Sequence, residues 1–209
     1  EAGQGFDDPR LSALSYAILA PNPHNMQPWR FALTGSDGID VLCALDRRLP
    51  QTDPFDRQIV IGFGCMLETL AIAAAEGGYR AEITPFPDGE PQPRLDRRRL
   101  ASVRLVREPA NSRDSLFAAI AVRRTSRDPY DDTPVDPAAV NRIVAAGLGD
   151  GLIAEATLDQ AAVARIGAIA DRAFDIEYRH PPTRRESIGV TRVGNRQIAE
   201  TPDGIALPG

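Results

Sequence analysis

Residues 54–76 constrain this chain more than any other stretch. Ile59, Ile61, Phe63, Met66, Leu67, Leu70, Ile72 and the alanines at 73–75 put apolar side chains nearly all round a helix. A helix with so little polar face belongs at the centre of a domain or in a subunit interface. Gly62 and Gly64 would each cost such a helix roughly 1 kcal/mol against Ala, so another backbone or a ligand is expected to come close there. Asp53-Pro54 supplies a start signal and Gly77-Gly78 a stop.

The flanking sequence alternates strand and helix patterns. Asp8-Pro9 opens a first helix with Leu11, Leu14 and Ile18 on one face, ended by Pro21. Residues 29–34 and 39–45 read as strands joined by a hairpin at Gly35-Ser36-Asp37-Gly38. Further strands are expected at 79–86, 100–106 and 152–158. Further helices are expected at 114–122, from Asp136-Pro137 to Gly147, and at 161–178, with part helix and part extended arm beyond residue 179. Strands occurring singly and in hairpins between helices give an α+β fold, an antiparallel or mixed sheet around a central buried helix.

Composition excludes several functions. The formal charge is −5 over 209 residues, which argues against generic nucleic-acid binding, and all 24 basic residues are Arg. Any anion site must therefore use guanidinium groups, whose planar fork suits phosphate. No apolar run is expected to reach a membrane-spanning length, and no signal peptide is recognised. Cys43 and Cys65 lack metal-ligand spacing and read as small core residues, so no metal is expected. No Walker loop, dinucleotide fingerprint or nucleophile elbow is present, and His24 and His180 lie far apart, which leaves a hydrolase little to stand on.

Two stretches carry candidate chemistry. Residues 20–31 hold Pro21, Pro23, Pro28, Asn22, Asn25, Gln27, His24 and the single Trp29. The prolines make this a stiff, extended turn. It reads either as a rigid connector whose Trp29 plugs the core, or as a frame of amides and an imidazole for the polar edge of a planar heteroaromatic. The second stretch, Arg123-Arg124-Thr125-Ser126-Arg127, reads either as a solvated helix end at the negative pole of its dipole or as an anion cradle. Arg97, Arg98 and Arg99 read as solvated surface.

Pro21-x-x-His24-Asn25-x-Gln27-Pro28-Trp29-x-Phe31, entered from a helix ending Leu19-Ala20, resembles the flavin-contacting turn of nitroreductase-like FMN oxidoreductases. It is most similar to their single-chain, internally duplicated branch, the Acg-type flavoproteins, some of which are exported by the twin-arginine route. Arg123–Arg127 resembles the phosphate-holding Arg-Arg-Ser-x-Arg of that family, with Thr125 in place of Ser. The helix from Gly62 resembles its central interface helix. The resemblance covers most of residues 8–147.

It implies an FMN-dependent oxidoreductase passing hydride from NAD(P)H to a nitro, quinone or similar acceptor. Asn22, Pro23, His24, Asn25 and Gln27 would meet the flavin, and Arg123, Arg124, Thr125, Ser126 and Arg127 its phosphate. No catalytic side chain is implied, because the flavin carries the chemistry. A flavin-sequestering protein or a cofactor-free relative of the same fold would share these features. In the usual family the Arg motif precedes the turn. The reversed order here implies duplication, with 1–110 as a first half and 111–209 as the start of a second. Members of the branch run longer, so the chain reads as a partial domain. Its expected partners are a small-molecule electron acceptor and either a second copy or a complementary segment, with no nucleic acid and no membrane. The expected location is the cytoplasm or, after loss of a twin-arginine leader, the periplasm or exterior.

Overall fold

A computed structural model describes residues 5–110, 113–126, 129–131, 133–148 and 151–208. It divides into two compact units, one of residues 1–125 with 185–209 and the other of residues 126–184.

The first unit is built on four antiparallel strands: β1 (Trp29–Thr34), β2 (Gly38–Cys43), β3 (Tyr79–Pro85) and β4 (Ala101–Arg107). Their order is β1-β2-β4-β3, and β1 and β2 form the expected hairpin, in register from Trp29 opposite Cys43 to Thr34 opposite Gly38. Period-two burial on β4 turns Ala101, Val103 and Leu105 inward beside Ile39 and Val41 of β2. Helix α2 (Arg57–Glu76) packs Ile59, Phe63, Met66 and Leu70 into the same core. Each such side chain contributes about 1.5–3 kcal/mol by leaving water. Helix α1 (Pro9–Ala17) lies against α2, capped by Asp8, whose carboxylate accepts the Arg10 N–H at 2.9 Å.

Several expectations need correction here. On α1 the inward residues are Ala13, Leu14 and Ala17, whereas Leu11 and Ile18 are exposed; the small alanines let the two helix backbones approach. Helix α2 starts at residue 57 rather than 54, because Asp53 and Asp56 fold the preceding residues into a separate cap. Buried Asp53 accepts the Ile59 N–H at 3.0 Å. Buried Asp56, left-handed at φ 57°, accepts the Leu95 N–H at 2.8 Å and pairs with Arg48 at 3.2 Å. Nor is α2 buried all round, since Ile61, Gly64 and Glu68 are exposed. By length and composition, with a mean hydropathy of 1.7 over its best window, α2 is long and apolar enough to cross a membrane, contrary to the sequence reading. Packing of one face into the core accounts for that composition.

The 114–122 helix shrinks to α3 (Phe117–Ile120), whose Phe117 ring lies 4.9 Å from that of Tyr16, tilted by 57°. The sheet also ends sooner than expected, at Cys43, where Leu45–Arg47 turns into a 3-10 segment. Burial pushes the Cys43 thiol up to about 12.

The second unit holds α4 (Pro137–Ala146), started by the expected Asp136 cap, and α5 (Gln160–Arg179), which Asp159 caps and which begins one residue before the expected range. Residues 152–158 are irregular apart from a bridge at Leu152, so the strand expected there does not form. Alternating apolar residues make a strand only when a neighbouring edge takes up their hydrogen bonds. Helix α6 (Pro181–Gly189) runs into the last segment of the first unit, followed by β5 (Thr191–Val193), α7 (Gly194–Glu200) and β6 (Ile205–Leu207). There β5 and β6 pair in parallel.

Candidate functional site

The turn after α1 is not the extended connector its prolines suggest. Pro23–Asn25 forms one 3-10 turn entered from an extended Asn22, and His24, Asn25 and Gln27 take left-handed φ values of 48°, 52° and 49°. A left-handed conformation costs a non-glycine residue roughly 1–2 kcal/mol, which Asn tolerates best. Such strain persists where surrounding contacts over-determine the backbone.

Those contacts are visible. Asn22 Oδ1 accepts the Gln27 N–H at 2.7 Å, and Asn22 Nδ2 donates to Ala20 O at 3.3 Å. The N–H groups of Asn25 and Met26 donate to Asn22 O and Pro23 O at 3.1 and 3.0 Å. Gly62 of α2 faces the turn, where a Cβ would meet Asn22 Cβ and Pro23 Cδ at 3.3 Å; nothing lies within 4 Å of the equivalent point on Gly64. The expected close approach is therefore real at Gly62 and absent at Gly64. Trp29 sets its ring edge-on to Phe63 at 5.4 Å, so it does plug the core. Its buried indole N–H has no hydrogen-bond partner among the described residues.

Asn22, Asn25 and Gln27 line a cavity of about 420 Å³ together with Arg123, Arg124 and Thr125. Two stretches about a hundred residues apart in sequence thus face one space. Ile18–Pro21 and Ile120–Ala121 supply apolar wall, and Pro202 closes one side. A smaller, mostly apolar annex of about 210 Å³ shares Leu19–Pro21, Ile120 and Arg123 and reaches Thr69 and Ile72 of α2. Pro23 and His24 shape the turn without lining the cavity. Ser126 lies in the second unit, and Arg127 is outside the described residues.

The cavity is electropositive. Arg123 donates to Leu19 O at 3.1 Å and to Thr125 Oγ1 at 3.3 Å. Arg124 donates to the carbonyls of Ala121 and Arg123 at 3.0 and 2.8 Å. Neither has a carboxylate partner among the described residues. The donor set, two guanidinium groups with a hydroxyl at one end and side-chain amides at the other, fits a ligand with an anionic terminus and a polar ring edge.

Sequence reasoning missed the residues that hold the turn from the far end of the chain. Pro202 O accepts Gln27 Nε2 at 3.1 Å and Asn25 Nδ2 at 3.3 Å, and the Gly204 N–H donates to Asn25 O at 3.1 Å. Arg47 donates to Met26 O at 2.9 Å and pairs with Asp203 at 3.2 Å. The turn signature Pro202-Asp203-Gly204 was the only local signal for this contact.

No family model matches the chain. Over 170 residues, 80% of this chain and 48% of the relative, it is 30% identical to a Mycobacterium tuberculosis protein provisionally named NAD(P)H nitroreductase. It is also 34% identical over 123 residues to an uncharacterized protein of that organism, covering 57% of this chain and 35% of the relative. A third M. tuberculosis protein, provisionally named NAD(P)H nitroreductase acg, is 31% identical over 123 residues, 59% of this chain and 36% of its own length. The chain spans about half the length, or less, of the curated relatives it matches. These similarities support a nitroreductase-like family, and the α+β fold with its antiparallel sheet is consistent with it.

Proposed function

We propose that this chain forms the cofactor-holding part of an NAD(P)H-dependent oxidoreductase of the nitroreductase type. FMN is the cofactor in this reading, and a nitro compound, quinone or similar small molecule is the acceptor. The observation that carries it is that both resembling motifs line one cavity. Its volume of about 420 Å³ lies within the usual range of ligand sites, about 300–1,000 Å³. The names of the M. tuberculosis relatives support the electron donor.

Bound FMN supplies two-electron transfer between NAD(P)H and the acceptor. The chain's own residues bind and orient it. Arg123 and Arg124 would meet the phosphate with charge-assisted hydrogen bonds, and Thr125 would add a hydroxyl. Asn25 and Gln27 address the polar edge of the ring, while Asn22, Pro23 and His24 hold the turn in shape. The apolar walls at Ile18–Pro21 and Ile120–Ala121 would shield the ring from water.

The test is spectroscopic. The protein loaded with FMN should show a flavin absorbance band that bleaches on anaerobic addition of NADH or NADPH. A band that does not bleach leaves a flavin-sequestering protein. Failure to take up any flavin overturns the reading.

A further inference from the structure

We infer that the turn at Pro202–Gly204 is a clamp on the binding turn, with Asp203 as its positioning residue. This rests on the flavin reading above and adds residues that lie far from both motifs in sequence. The contacts link the two segments at every one of three positions. Pro202 O takes the side-chain amides of Asn25 and Gln27, Asp203 reaches Met26 O through Arg47, and the Gly204 N–H meets Asn25 O. Three residues of one segment thereby engage three residues of the other, and the engaged stretch contains two of the three left-handed residues.

The clamp is itself anchored. Arg192 of β5 donates to Asp203 Oδ1 at 2.8 Å, leaving the other carboxylate oxygen to Arg47. The Ile205 N–H donates to Val190 O at 2.8 Å, where β6 begins. Gly204 has φ +83° and passes so close to Val190 O that a Cβ there would lie 2.3 Å from it, so no other residue fits. One helix back, Glu186 accepts the N–H groups of Gln51 and Thr52 at 3.1 and 2.8 Å and the Thr52 hydroxyl at 2.8 Å. The segment is therefore held at two places and can act as a fixed strut.

The carbonyl of Pro202 has a specific effect on recognition. It takes one N–H from each amide, which fixes the rotation of both groups and so decides which atoms they turn to the cavity. An amide pair left to rotate would present donor and acceptor interchangeably. The clamp thus selects the hydrogen-bonding pattern of the ring edge, whereas the arginines select the anionic terminus.

The test compares wild type with Asp203→Asn, Asp203→Glu and Arg47→Met. Readouts are amide hydrogen exchange over residues 22–27 without ligand, affinities for FMN and riboflavin by fluorescence quenching, and melting temperature. Asp203→Asn should speed exchange in the turn and weaken both flavins by a similar factor, about tenfold. The FMN-to-riboflavin ratio and the melting temperature should stay near wild type. Arg47→Met should behave alike, and Asp203→Glu should restore part of the affinity. Wild-type exchange and affinity in Asp203→Asn overturn the clamp alone. A lost FMN preference or a lower melting temperature shows a general structural role and also overturns it. A wild-type protein that binds neither flavin overturns the functional reading and the positioning role with it.

Discussion

Two arginine clusters of the first unit look alike in sequence and differ entirely in their surroundings. Around Arg97–Arg99 the charge is spent locally: Arg98 pairs with Asp96 at 2.8 Å, and Arg99 with Asp88 at 2.6 Å and Asp40 at 3.3 Å. The Arg99 guanidinium holds the Asp88 carboxyl down to about 2. Arg123 and Arg124 donate to carbonyls and a hydroxyl instead, beside a cavity whose lining contains no acid. Among the described residues, what sets one run of cations apart as a candidate site is a lining without carboxylates, not its own density.

The contrast can be broken most directly by charge removal. Changing Arg123 and Arg124 together to Ala should reduce the preference for FMN over riboflavin by roughly 2–4 kcal/mol, about 30- to 1,000-fold. The same change at Arg98 and Arg99 should leave that ratio unaltered. Competitive titration with the two flavins measures both, and equal losses in the two variants would erase the distinction.

A backbone change sharpens it from the other end of the cavity. Gly62→Ala must displace Asn22 or Pro23 by a few tenths of an ångström, since their atoms lie 3.3 Å from the new methyl. Both flavins should weaken together, by about tenfold, with the FMN preference retained. Gly64→Ala meets nothing within 4 Å and should instead stabilise the helix by about 0.5–1 kcal/mol. Thermal melts together with binding curves separate the two glycines.

Acidity offers a smaller effect. A phosphate monoester loses its second charge below about pH 6, so the FMN preference should fall severalfold between pH 7 and pH 5. The arginine double variant should lack that dependence. Smallest of all is the acid response of the other cluster. Because the folded Asp88 pKa is depressed from 3.8 to about 2, its contribution is fully present above its unfolded value and is lost as pH falls through about 2. Replacing Asp88 by Asn should therefore flatten the stability profile only below about pH 4, as acid-unfolding midpoints would show.

What the sequence made legible is what short-range chemistry decides. Asp8 and Asp136 cap their helices with bonds spanning two residues, and the hairpin at 35–38 closes locally. Lost from view was whatever needed a distant partner. The start of α2 shifted because Asp56 reaches Leu95, and 152–158 failed as a strand despite its pattern. In the turn, proline stiffness pointed to extension, while bonds from Pro202 and Arg47 hold left-handed residues instead. The sequence could separate the two arginine clusters by resemblance and by the hydroxyls beside Arg124, but not by the Asp40 and Asp88 carboxylates that the fold brings to Arg99.

The clamp also has a consequence in time. Asn25 and Pro202 are 177 positions apart, so the cavity wall cannot be completed until a long stretch of chain beyond the turn has been made. At about 5–20 residues per second, the turn waits roughly 10–35 s for its strut. The hairpin and α2 can fold in that interval, leaving an open, unclamped cavity on a folded core. On the proposed flavin reading, uptake would follow synthesis of residue 204, and stalled nascent chains ending before residue 201 should capture flavin poorly where chains extending past residue 204 retain it.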